Sequence, residues 1–159
     1  MENVQVNTTV DEEVLDDLKG RYLTFYIGDT FFGIELLHVI EIISVQPITR
    51  VPNLPAYIKG IINLRGKVVP VIDVRLKFNQ EEIEYDDKTC IIIVTIDDMH
   101  VGLIVDSVAE VVSISKTENA PPPKLGSTST DNYLSSIAKV GNHVIMNIDC
   151  QKFFQSDLH

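Results

Sequence analysis

The run Tyr57-Ile58-Lys59-Gly60-Ile61-Ile62-Asn63-Leu64-Arg65-Gly66-Lys67-Val68-Val69-Pro70-Val71-Ile72-Asp73 decides the fold of this chain. Ile61 to Leu64 reads as a short strand, because β-branched and long apolar side chains suit a pleated, half-buried surface. Arg65-Gly66 is the turn, with Gly66 free to take a positive φ. Val68 to Ile72 is the return strand. Pro70 has no N–H to give a ladder, which predicts an edge strand or a bulge there. Just upstream, Pro55 to Lys59 reads as a helical turn ended by Gly60 in a left-handed cap.

The same unit recurs. Adding 76 carries Tyr57 to Tyr133, Ile61 to Ile137, Val68 to Val144, Ile72 to Ile148 and Asp73 to Asp149 without a gap. The turn Arg65-Gly66 becomes Gly141-Asn142, also good hairpin chemistry. Upstream the offset is 69, taking Asp29 to Asp98, Gly33 to Gly102, Ile34 to Leu103, Val39 to Val108, Glu41 to Glu110 and Ile43 to Val112. The growth from 69 to 76 fits extra loop around Pro121-Pro122-Pro123. The shared glycine, glutamate, tyrosine and aspartate argue against chance matching of apolar strands. Two related β-rich units follow, about 21–80 and 88–159, each too small to fold well alone.

Of the 159 residues, 45% are hydrophobic and 23% charged, which is ordinary globular material. The formal net charge of −10 excludes binding to nucleic acid or an anionic membrane surface through bulk electrostatics. No apolar run is long enough to span a bilayer, and the acidic N-terminus does not read as a signal peptide. Cys90 and Cys150 sit singly in apolar, strand-like surroundings, as expected of reduced structural thiols in a cytoplasmic protein, the alternative being a disulfide between them that no spacing supports.

Residues 1–20 read as an acidic flexible tail. The alternative is a short helix, since Thr9-Val10-Asp11-Glu12 matches a capping box and Val10, Val14 and Leu18 share a helical face. Tyr22 to Ile27 and Phe31 to Glu35 form a hairpin about Gly28-Asp29. Leu37 to Ile43 fits neither period cleanly and reads as a helical turn entering a strand. Ile48 to Val51 is a short strand ended by Pro52. Asp73 to Phe78 forms a helical turn capped by Asp73. The acidic loop Asn79 to Lys88 divides the copies. Cys90 to Ile96 is a strand buried on both faces, turned back by Asp97-Asp98 into His100 to Val105. Val108 to Ile114 mirrors Val39 to Val45. Ala120 to Asn132 is loop, and Asp149 to Leu158 is a terminal helix.

Catalytic constellations are weak. Glu35-Leu36-Leu37-His38 has the Glu-x-x-His spacing of di-iron bundles, but the chain offers neither a second such motif nor four long helices. His38, His100, His143 and His159 are scattered, with no zinc spacing. Ser107 follows Asp106 without a nucleophile elbow, and Gly126-Ser127-Thr128-Ser129-Thr130 lacks the ending of a phosphate loop. Asp73, Asp106 and Asp149 could pair as acid and base. The matched slots of Asp73 and Asp149 are explained more simply by helix capping. Arg65 stands apart, because its slot in the second copy holds Gly141 and the fold therefore does not require an arginine there.

Phe32-Gly33-Ile34, Val39-Ile40-Glu41-Ile42-Ile43, Ile48-Thr49-Arg50-Val51-Pro52, Gly60-Ile61-Ile62-Asn63-Leu64-Arg65-Gly66 and Val69-Pro70-Val71-Ile72-Asp73-Val74 resemble the CheW family of bacterial chemotaxis adaptors. The resemblance runs from about Tyr22 to the C-terminus. It implies a mostly β fold of two related, intertwined, five-stranded SH3-like β-barrels with short helices, without catalytic site or cofactor. It implies a cytoplasmic scaffold that bridges chemoreceptor tips to the regulatory domain of the histidine kinase CheA. Carried over position by position, Arg65, Asn63, Leu64 and Gly66 contact the receptor, and Glu41, Val39 and Ile43 fall where receptor or kinase contacts lie. The acidic N-terminal extension departs from the compact family pattern. Two rival functions have their own signatures. A large apolar cavity would mark a small-molecule-binding barrel, and convergent carboxylates around Asp73 or Asp106 would mark a hydrolase.

Overall fold

The computed structural model describes residues 18–115, 118–121 and 133–155. Most of the expected N-terminal tail, its alternative helix before Leu18, most of the loop Ala120 to Asn132 and the end of the terminal helix lie outside these residues. β1 (Arg21–Ile27) and β2 (Thr30–Glu35) are followed by a 3-10 turn (Leu36–His38) and β3 (Val39–Ser44). The mixed periodicity of Leu37 to Ile43 therefore reflects two short elements in succession. β4 (Ile58–Leu64) and β5 (Lys67–Asp73) form the quoted hairpin and lead into α1 (Val74–Lys77). Then come β6 (Cys90–Ile96), β7 (Met99–Val105), β8 (Ser107–Ser113), the two-residue β9 (Asn119–Ala120), β10 (Leu134–Val140), β11 (His143–Ile148) and α2 (Cys150–Gln155).

The protein is mostly β, and its two sheets are interleaved. One runs β8-β1-β2-β11-β10-β9 and the other β3-β6-β7-β5-β4. The opening hairpin of each copy thus lies beside the closing hairpin of the other. Both joins are parallel and occupy matched positions: Gly33 opposite Asn147, and Gly102 opposite Val71. A Cβ on Gly33 would lie 2.4 Å from Asn147 Oδ1, and one on Gly102 would lie 2.8 Å from both Ile91 Cγ2 and Val71 Cγ1. The matched glycines are where the two copies cross, and only a residue without a side chain fits the crossing.

Three apolar clusters follow from this exchange. Ile62, Val69, Val71, Ile91, Ile93 and Ile104 fill the five-stranded sheet. Phe31, Ile114, Ala138 and Ile145 fill the six-stranded one. The largest cluster joins them, and in it Phe32, Phe78, Phe153 and Phe154 are buried. At its edge the buried Lys77 holds Nζ 4.3 Å from the ring centre of Tyr57 and 5.0 Å from that of Tyr133. The matched tyrosines thereby share one cation.

The second-copy match extends to single hydrogen bonds. Asp73 N donates to Tyr57 O and Asp149 N to Tyr133 O, both at 2.7 Å. Each aspartate then caps its helix, Asp73 accepting from Leu76 N and Asp149 from Lys152 N. Three local expectations are corrected. Gly60 is no helix cap but a bulge residue inside β4 at φ 143, where a Cβ would meet Thr49 O at 2.1 Å. β5 is an inner strand, with β4 at the edge. Pro70 is tolerated because the parallel pairing of β5 with β7 runs only from Val71 to Asp73, so Pro70 has a ladder partner on one side alone. Ile48 to Val51 contributes a single bridge, Thr49 to Ile61, rather than a strand.

Candidate functional site

Arg65 occupies the first turn position at φ 52, followed by Gly66 at φ 84. Two consecutive positive φ values match the right-handed twist of the strands, which is why two-residue hairpins favour them. For a residue with a Cβ this region is unfavourable by about 1 kcal/mol or more. The second copy avoids that strain with Gly141 at φ 61. The arginine therefore sits where backbone energetics prefer glycine. Asn63 braces the turn by accepting from Gly66 N through Oδ1 at 3.0 Å. Leu64 packs against the interior cluster of the five-stranded sheet.

The Arg65 guanidinium grips Glu41 at both carboxylate oxygens, with Nη1 on Oε1 and Nη2 on Oε2 at 2.8 Å. Such fork-to-fork pairing fixes both side chains in a plane. Hydrogen bonding to Arg65 holds the Glu41 carboxyl below the usual carboxylate range, opposed by desolvation and aided by the charge of Arg65. Glu41 belongs to β3 and Arg65 to the tip of β4–β5, at opposite ends of the five-stranded sheet. The pair closes that curled sheet while leaving the Arg65 side chain 71% exposed and that of Glu41 24%. The matched Glu110 has a different setting: its backbone exchanges hydrogen bonds with Thr24 Oγ1.

Of the seven residues singled out, Arg65, Asn63, Leu64, Gly66 and Glu41 form one continuous tip. Val39 packs against the cluster joining the sheets, and Ile43 packs against the interior of the five-stranded sheet. The outward face of β3 is instead made by Ile40 and Ile42, 45% and 43% exposed. Next to the tip, Val68 is 68% exposed. Five consecutive apolar or acidic residues on one strand cannot all face inward, and that alternation was the available signal for Ile40 and Ile42.

The rival chemistries find no support among the described residues. Both sheet interiors are filled by side chains. Asp73 is occupied by its helix cap and by the Tyr85 hydroxyl, 2.7 Å from Oδ2. Burial and that bond push the Tyr85 phenol up. Asp106 accepts from Arg75 Nε at 2.9 Å and from Gly28 N at 2.7 Å. No group of three or more metal-ligating side chains occurs among the described residues, and Glu35 and His38 lie side by side 4.0 Å apart. Among them, too, no helix is long and apolar enough to cross a membrane. Cys90 and Cys150 are free thiols.

Comparison with known proteins gives one consistent answer. The family described as CheW-like domain matches residues 21–158. The chemotaxis protein CheW of Klebsiella aerogenes is 34% identical over 149 residues, covering 94% of this chain and 90% of that protein. The chemotaxis protein CheW of Bacillus subtilis is 36% identical over 129 residues, covering 81% and 83%. The crystal structure of the scaffolding protein TtCheW from Thermoanaerobacter tengcongensis superimposes with a TM-score of 0.80 at 34% identity, covering 86% of this chain and 92% of that one.

Proposed function

The chain belongs to the CheW family, and from that premise we propose that it couples the cytoplasmic tips of chemoreceptors to the regulatory domain of the histidine kinase CheA. It is a scaffold and not an enzyme. The observation that carries the receptor assignment is Arg65, kept in a left-handed turn against backbone preference and locked to Glu41 with most of its surface still exposed. The receptor-facing patch is the tip Asn63, Leu64, Arg65 and Gly66 together with Glu41. Val39 and Ile43 border it from β3. A pre-formed, rigid, charged tip suits docking onto a partner helix with little ordering cost. Each contact is modest alone and gains strength through effective concentration when receptors and kinase are arrayed at the inner side of the membrane.

Co-sedimentation with receptor cytoplasmic fragments and CheA tests this, comparing the unaltered protein with Arg65→Glu. The expected outcome is a ternary complex for the former, and retained CheA with lost receptor for the latter. Failure of the unaltered protein to bind either partner would overturn the adaptor reading. Unchanged receptor recruitment by a folded Arg65→Glu protein would remove Arg65 from the patch.

A further inference from the structure

Where two similar halves pair about a two-fold axis, a residue that meets its own match lies on that axis. The two copies bring one such pair together. Lys77, at the end of α1, and Phe153, in α2, stand 76 positions apart and occupy the same slot. Lys77 Nζ lies 5.6 Å from the ring centre of Phe153, and both residues are buried. Each also sits on the tyrosine of its own copy. Lys77 Nζ is 4.3 Å from the ring centre of Tyr57, and the Phe153 ring is 5.3 Å from that of Tyr133 at 71°. Phe78 and its match Phe154 both pack edge-on against Phe153. These matched slots are aromatic throughout except for one, and that one holds a lysine.

Apolar burial alone would favour a second phenylalanine here, because burying an ammonium costs more than burying a ring. The rings of Tyr57, Tyr133 and Phe153 offset part of that cost. What the lysine changes is which copies can meet. The two parallel joins link halves of the same design, so a first copy could in principle be met by the first copy of another chain as well as by a second copy. In that like pairing Lys77 faces Lys77, and two ammonium groups are desolvated against each other. The unlike pairing puts a single cation among three rings.

We propose that Lys77 is a pairing-specificity residue: it makes the first copy reject the first copy of a second chain and accept only a second copy, and so blocks association of two chains through like copies. The rule is one lysine and one phenylalanine on the axis. A buried charge that lowers stability but selects among similar partners plays the part that single polar residues play at coiled-coil seams. The pair lies apart from the Arg65 tip, and its role does not depend on the receptor assignment.

Exchanging the two residues in the full chain tests it, read by thermal melting and by light scattering on a size-exclusion column. Phe153→Lys puts two lysines on the axis and should lose cooperative melting. Adding Lys77→Phe to it restores one lysine and one phenylalanine, now reversed, and should bring back a monomer that melts cooperatively. Partner choice is then read by refolding Phe153→Lys from urea in mixtures. With the Lys77→Phe variant, both exchanged axes hold one lysine and one phenylalanine, and a heterodimer of twice the monomer mass should form. With the unaltered protein, one of the two axes again holds two lysines, and no heterodimer should form. A double variant that melts no better than Phe153→Lys would overturn the proposal. So would capture of Phe153→Lys equally by both partners, or by neither.

Discussion

The two hairpins β4–β5 and β10–β11 are the same device with different tips. Both carry a bulge at the same place, between Ile58 and Gly60 in one and between Leu134 and Ser136 in the other. Both begin with a tyrosine carbonyl that accepts from the aspartate at the far end. They part at the turn, where one has Arg65 and the other Gly141. What the copies share builds the scaffold, and what only one copy has is available for function.

The most damaging way to break the likeness is Gly60→Ala. The added Cβ would press on the carbonyl of Thr49, which accepts from Ile61 N at 2.9 Å while Thr49 N donates back to Ile61 O at 2.9 Å. Urea unfolding should show a loss of about 3 kcal/mol or more, from overpacking and a strained φ together. The matched Ser136 already carries a side chain, so Ser136→Ala should lose far less.

Next come the crossing glycines. Gly102→Ala pushes only on side-chain carbons of Ile91 and Val71, whereas Gly33→Ala meets the amide oxygen of the buried Asn147. Each should destabilise by about 1–3 kcal/mol. Gly33→Ala should be the worse of the two, because Asn147 Nδ2 is already committed to Asn119 and Ser136. Equal losses by thermal melting would mean that backbone spacing, not the polar contact, sets the effect.

The caps differ more finely. Asp149→Ala removes one cap bond and should lose about 1 kcal/mol, while Asp73→Ala also strands the Tyr85 hydroxyl and should lose about 1 kcal/mol more. Chemical denaturation of the two variants, with Tyr85→Phe as a third, resolves the difference.

The smallest change in stability is expected at Arg65→Glu, whose side chain is mostly exposed. Its signature is electrostatic. The Glu41 carboxyl is depressed in the folded protein, so its stabilising contribution is complete above the ordinary carboxylate pKa and disappears as pH falls through the depressed value. NMR titration of Glu41 should show its pKa returning upward in the Arg65 variant. An unmoved value would show that the ion pair is not formed in solution.

Much of this was legible beforehand. Most strands, the hairpin turns, the capping aspartates and the internal repeat rest on local rules of period, glycine placement and cap chemistry, and the strand expected at Ile48 to Val51 is the exception. The exchange of hairpins was not legible from those rules, because pairing Gly33 with Asn147 is a long-range event that no local pattern encodes. Within the site, Arg65 and Glu41 were both identifiable, but their mutual grip depends on sheet curvature bringing opposite ends together. Val39 and Ile43 were distinguished from Ile40 and Ile42 only by which face of β3 the barrel presents inward. Gly60 misled because a glycine after a helical turn and a glycine at a bulge look alike in sequence.

The parallel join of β2 to β11 has a consequence for how the protein is made. Phe32 lies opposite Met146. As the chain leaves the ribosome, the five-stranded sheet can assemble once β7 is out. The first hairpin, with the apolar rings of Phe25 and Phe32, must wait for β11 before it gains that neighbour. Its unpaired edge stays open through most of synthesis, which makes this segment the natural place for chaperones to hold and for premature association to begin.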